Sequence, residues 1–161
     1  MSGEVIVTST TRLLVVNNDA RARRELYESL KKLGYGAIDF ATCEQIALCH
    51  ITANARYKLV IAEWDQTPNL LDKVRQRSEN RYLPFLLAID GWQKKFVEIV
   101  RDDGAVLYFT KPFEPAVLKQ RIEQVFLDST RMKAAAVRKS AKEPVKENEA
   151  SQLWQILRRD I

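Results

Sequence analysis

Only one histidine, His50, occurs in the 161 residues. No serine stands near it in a recognisable order, so triad catalysis has no material to work with. The two cysteines, Cys43 and Cys49, lie six positions apart on different faces of one expected helix. That spacing favours neither a disulfide nor a metal motif, which points to a reducing cytoplasm. Five glycines are scattered without a glycine-rich phosphate loop, and neither internal repeats nor low-complexity stretches occur before the tail. No apolar run approaches a membrane span, and residues 1–11 lack a basic start and a long apolar centre, so neither insertion nor export is expected.

What is present is the composition of a soluble globular protein, 46% hydrophobic and 29% charged, with room for one domain and a tail. The net charge of +5 is unevenly placed. From Asp128 onward there are eight Lys/Arg against five Asp/Glu, a surplus of three, which leaves only two for the longer globular part. The basic character therefore belongs mostly to the tail, where a solvated segment is the plain reading and a weak attraction to nucleic acid or an acidic partner the alternative.

The chain is organised around Lys58-Leu59-Val60-Ile61-Ala62-Glu63-Trp64-Asp65, an apolar, partly β-branched run that ends in two acids. Such a run reads as a strand buried on both faces in the middle of a parallel sheet. Leu13-Leu14-Val15-Val16 is a second such run, halted by Asn17-Asn18-Asp19. Ala22, Leu26, Leu30 and Leu33 then recur at helical spacing, with Asp19 to cap the helix and Gly34 to end it. Residues 36–41 form a short candidate strand, and Thr42 can cap a helix whose face carries Cys43, Ile46, Ala47, His50 and Ile51. Gln66-Thr67-Pro68-Asn69 is a turn cluster, followed by a short helix through Leu70, Leu71 and Val74. Residues 84–89 supply a fourth strand; Trp92, Phe96, Ile99 and Val100 mark a buried or half-buried helix face, ended by Asp103-Gly104. Residues 105–109 are the fifth strand. Pro115 opens a last helix whose buried stripe is Val117, Leu118, Ile122, Val125 and Phe126.

Five strands alternating with five helices predict an α/β fold, a (βα)5 doubly wound parallel five-stranded sheet. Its crossovers bring Asn17, Asn18, Glu63, Ile89 and Lys111 to one edge, where open α/β sheets place their sites. Residues 1–10 are a lead-in, 11–127 the domain, and 128–161 a basic linker and tail. Residues 131–146 are rich in Ala, Lys and Arg, and the first half of that stretch can lengthen the last helix, since nothing breaks it before Pro144. Beyond it, Leu153, Trp154, Ile156, Leu157 and Ile161 crowd one side of a short amphipathic helix, which needs a surface on this domain, a second copy or a partner to be stable.

The order of these signals resembles the receiver domain of two-component response regulators, a flavodoxin-like fold, over residues 11–127. The resemblance rests on the polar triplet after the first strand, the acid closing the third, Pro84, Asp103-Gly104-Ala105 and Lys111-Pro112-Phe113. It implies a site in which two acids hold a divalent cation beside a phosphoaccepting aspartate, while a hydroxyl residue and a lysine bond the phosphate. Those positions fall here on Asn17 and Asn18, Glu63, Ile89 and Lys111. Tyr108 matches the family's aromatic switch, and Asp65 the residue lending the metal a backbone carbonyl.

Mg²⁺ favours charged oxygens in octahedral geometry, so two amides in place of two carboxylates predict weak or absent Mg²⁺ binding. Glu63 adds a methylene at a position where phosphoryl transfer tolerates little displacement, and Ile89 offers no donor. The segment after Glu63 also reads as about a turn shorter than the family's. No cofactor is expected, with Asp19, Glu63 and Asp65 as weak metal candidates. A carboxylate and an ammonium facing each other across so small a pocket should pair directly. The expectation is therefore a phosphorylation-independent pseudo-receiver in a phosphorelay system, a cytoplasmic protein-binding module and not an enzyme. Tyr108, Lys111 and Trp154 are expected on its interaction face, with a protein partner or a second copy in a homodimer. The alternatives are a regulator phosphorylated on Glu63 and a nucleic-acid binder using residues 131–146. Neither nucleic acid nor membrane is the expected partner.

Overall fold

The computed structural model describes residues 8–53, 56–95 and 105–142. Its five strands are β1 (Arg12–Val16), β2 (Ala37–Ala41), β3 (Tyr57–Glu63), β4 (Phe85–Ile89) and β5 (Val106–Thr110). All pair in parallel, in the order β2-β1-β3-β4-β5, so β3 is central and its carboxyl end opens between β1 and β4. Four helices are described in full: α1 (Ala20–Lys32), α2 (Glu44–Ala53), α3 (Leu70–Arg75) and α4 (Pro115–Lys142).

The sheet is covered on both faces, and the two-residue period of a strand divides its apolar runs between two cores. Leu14, Val16, Val60, Ala62, Leu87 and Ile89 meet Ala47 and Ile51 of α2 and Leu70 and Val74 of α3. Leu13, Val15, Leu59, Ile61 and Leu86 meet Leu26 and Leu30 of α1 and Leu118, Ile122 and Val125 of α4. A strand with no polar position to spare can sit only inside a sheet, which explains why β3 and β4 read so clearly in the sequence.

Asp19 caps α1 by accepting the backbone N–H groups of Arg21 and Ala22, and Gly34 ends the turn after it at φ 97°, a conformation that favours glycine. A Cβ at Gly34 would also come within 2.9 Å of Thr8 Oγ1. Both features follow the sequence.

Several sequence expectations need correction. Helix α2 starts at Glu44, so Cys43, not Thr42, occupies the cap position, and Ile46 is exposed, not packed. Val117 stands in the first turn of α4, where its side chain points outward before the buried stripe begins at Leu118. Trp92 is 70% exposed because it lies in the 3₁₀ turn Gly91–Gln93, where the α-helical period used to place it inside does not apply. Phe96, Ile99, Val100 and the Asp103-Gly104 stop lie outside the described residues. Cys43 and Cys49 are both free thiols. His50 is half-buried, edge-on to Tyr57, whose hydroxyl donates to Asp39 at 2.6 Å. Burial and that carboxylate push the Tyr57 phenol up to about 12.

α4 runs unbroken for 28 residues, far past the last strand it covers. Ser129, buried on its inner face, donates to the Tyr82 carbonyl at 2.6 Å and ties the helix to the segment before β4. Among the described residues no helix is long and apolar enough to cross a membrane.

Candidate functional site

The site forms at the carboxyl end of the sheet because β1, β3, β4 and β5 all stop there in register. Glu63 pairs with Ala88, and Ile89 with Thr110, so the residues after each strand face one another across the edge. β3 delivers Glu63 at only 5% exposure. Lys111, one residue beyond β5 and ahead of a cis peptide bond to Pro112, sets its ammonium directly on Glu63 Oε1. A second carboxylate, Asp90, lies 3.7 Å from the same nitrogen. Among the described residues Glu63 Oε2 is a buried oxygen without a hydrogen-bond partner.

Burial pushes the Glu63 carboxyl above its usual range, with the Lys111 bond and charge pulling it only part of the way back, and Asp90 and Asp65 adding to the rise. For Lys111, burial alone would lower the pKa; the bond to Glu63 and the charges of Glu63, Asp90 and Asp65 outweigh it, and the net shift is upward. The ammonium therefore stays charged at neutral pH, and Lys111 is the one neighbour that favours the ionised form of Glu63.

The loops around this pair are fastened by two glutamines. Gln66 accepts the Asn18 N–H at 2.7 Å and donates to Asn17 Oδ1 at 3.2 Å. Asn17 Oδ1 also accepts the Asp19 N–H at 2.9 Å, and the Asn17 carbonyl accepts from Arg23 at 2.8 Å. On the other side Gln93, 1% exposed, accepts the Asp90 N–H at 2.8 Å and donates to Asp65 Oδ1. Thr67 closes the turn after β3 with a 2.8 Å bond to the Glu63 carbonyl. Replacing Gln93 with leucine should destabilise the fold by about 2 kcal/mol in urea titration, because the Asp90 N–H and an Asp65 oxygen would both lose their partner.

Asn17, Glu63 and Lys111 thus come to one edge, with Asn18 joined through its backbone. Ile89 reaches the edge only through its carbonyl, which accepts the Lys111 N–H at 2.9 Å; its side chain is fully buried in the core against α2 and α3. Tyr108 is half-buried under the Arg121 guanidinium, 5.6 Å from ring centre to carbon. Trp154 lies outside the described residues. Asp90, Gln66 and Gln93 were not anticipated from the sequence; the Asp90-Gly91 pair closing an apolar strand was the one available signal.

A divalent cation, which the family's site would hold, does not fit these donors. Asn17 Oδ1 is taken by two donors, Glu63 Oε1 by Lys111, Asp65 Oδ1 by Gln93, and Asp19 by the start of α1. Among the described residues no three His, Cys, Asp or Glu side chains are grouped to hold an ion.

No family model matches the chain. The chemotaxis protein CheY1 of Helicobacter pylori strain J99 is 33% identical to it over 118 residues, covering 71% of this chain and 95% of that protein. The chain belongs to the CheY-type response regulator receiver family. A CheY homolog of Campylobacter jejuni is 29% identical over 118 residues, covering 71% of this receiver and 91% of its own length. Among solved structures, CheY4 of Vibrio cholerae superposes with a TM-score of 0.61 at 22% identity, over 71% of the receiver and 98% of that chain. A putative response regulator of Chloroflexus aurantiacus reaches 0.65 at 24%, over 73% and 98%. These two share the fold. The protein is thus a receiver of two-component signalling, and receivers work through protein partners.

Proposed function

We propose that this receiver is a pseudo-receiver: a cytoplasmic binding module, not an enzyme, that engages a protein partner without being switched by phosphate. The observation carrying this reading is the Lys111 ammonium seated on Glu63 Oε1, with Asp90 behind it. One Glu63 oxygen is engaged by that ammonium and the other is buried, so neither is presented to an incoming phosphorus for in-line attack. The amides at 17 and 18 and the aliphatic Ile89 supply neither the charge to draw a cation nor a hydroxyl to bond a phosphate. With the pair formed, the loops after β3, β4 and β5 are held together in one arrangement by internal contacts alone.

The surface offered to the partner is the one beside β5 and α4, with Tyr108 and Lys111 at its edge. Arg121 holds the Tyr108 ring half-buried, which suits a fixed contact face better than a moving one.

Incubation with a small phosphodonor and Mg²⁺, followed by intact mass, tests the reading. The expected result is no gain of mass; a stable single phosphoryl on Glu63 would make the protein an ordinary phospho-accepting regulator. Binding to DNA or RNA that fell steeply with salt and vanished on neutralising the Lys and Arg residues of 131–146 would instead support the nucleic-acid alternative.

A further inference from the structure

The buried stripe of α4 does not stop where the domain stops. Leu118, Ile122, Val125 and Ser129 face the sheet and the segment before β4; the same helical face then continues past Tyr82 with nothing described lying against it. There Tyr82, Lys133, Ala136, Val137, Ser140 and Ala141 line a shallow groove, in which Val137 is 69% exposed. The helical positions are spaced three, four, seven and eight apart from Lys133, which places them on one face.

We propose that residues 153–161 of this same chain cover that groove, turning back after Pro144 to lie antiparallel along the end of α4. Three features favour the chain's own tail over other occupants. The first is reach. Nineteen residues follow Lys142, and α4 ends at the open end of the groove. The ten residues 143–152 span up to about 33 Å when extended, ample for reversing across the roughly 10 Å between packed helix axes.

The second is pattern. Leu153, Trp154, Leu157 and Ile161 share one helical face and span eight positions, about 12 Å, the same length as the face from Lys133 to Ala141. Small residues on α4 leave room for the large ones, Trp154 above all.

The third is charge. Residues 131–142 carry Arg131, Lys133, Arg138, Lys139 and Lys142 and no acid, whereas the connecting residues 143–150 carry Glu143, Glu147 and Glu149 against Lys146 alone. The acidic connection would fold against the basic helix end it leaves.

The test uses the full chain with its three tryptophans replaced by 5-fluorotryptophan and read by ¹⁹F NMR, the signals assigned through single Trp→Phe variants. The Trp154 signal is expected away from the solvent-exposed position at every protein concentration. In Val137→Glu it should move to that position while the Trp64 signal stays in place; Val137 is exposed, so the fold survives, as far-UV circular dichroism would confirm. Two controls guard the interpretation: Ala134→Glu, outside the groove, should leave Trp154 unmoved, and sedimentation should report the oligomeric state. A Trp154 signal already at the solvent position in the unaltered chain would overturn the proposal. So would one that moves with protein concentration alongside dimerisation, which assigns the groove to a second copy, or one that ignores Val137→Glu.

Discussion

Replacing Lys111 with methionine should destabilise the receiver by about 2–3 kcal/mol at pH 8 and by less than about 1 kcal/mol at pH 5, measured by urea unfolding. The size is set at the low end of the range for breaking a buried ion pair, because Lys111 is 35% exposed and partly screened by solvent. The pH dependence follows from Glu63. Its folded pKa is raised, so the folded chain holds a proton there that the unfolded chain gives up, and stability falls as pH rises from about 4.5 through the folded value. Without Lys111 that value climbs further and the fall becomes deeper. Lys111 has the complementary behaviour: its pKa is also raised, so its contribution is complete below its unfolded value and is lost only as pH rises through the folded one in the alkaline range. Adding Glu63→Gln to the Lys111→Met variant removes the stranded carboxylate and should recover the loss to within about 1 kcal/mol, with little pH dependence between 5 and 8. A loss that was the same at both pH values would mean that Lys111 acts through packing and not through its charge.

The second large effect concerns the cation. Changing Asn17→Asp, Asn18→Asp, Glu63→Asp and Ile89→Thr together should raise Mg²⁺ affinity by at least about 100-fold, since ligand charge is the main lever on a site of hard oxygens. In the absence of metal the new carboxylates crowd Asp65 and Asp90, so the variant should melt below the parent. Mg²⁺ at 100 times its dissociation constant should return about 2.7 kcal/mol, whereas the parent chain should show no Mg²⁺-dependent change in melting. Calorimetry and thermal melts would read both. If the variant also failed to bind, the block would lie in the loop geometry set by Gln66 and Gln93, not in the missing charge.

The contrast between what the sequence disclosed and what it hid has a physical basis. Leu59 to Ala62 and Phe85 to Ile89 are legible because a strand buried on both faces has no polar alternative, and Asp19 and Gly34 because caps demand particular residue types. The placing of Glu63 and Lys111 at one edge followed from topology alone. Gln66 and Gln93 stayed hidden because they are neutral amides in turns, with no period to mark them. Their partners Asn18 and Asp65 lie 48 and 28 residues away. Asp90 is hidden for a related reason. The strand's last residue, Ile89, points its side chain into the core, while the charge that reaches Lys111 comes from the next residue along. Trp92 and Val117 depart from the helical period because one lies in a 3₁₀ turn and the other in the first turn of a helix.

At the centre of the account is a lysine that occupies the carboxylate a phosphoryl group would need. ¹³C NMR of the Glu63 side-chain carboxyl, recorded while Mg²⁺ and beryllofluoride are added together, observes that atom directly. The account predicts a resonance that does not move in a saturable way and no protein-bound ¹⁹F signal. A saturable shift of the Glu63 carboxyl, with a bound beryllofluoride signal that disappears in Glu63→Gln, would contradict it.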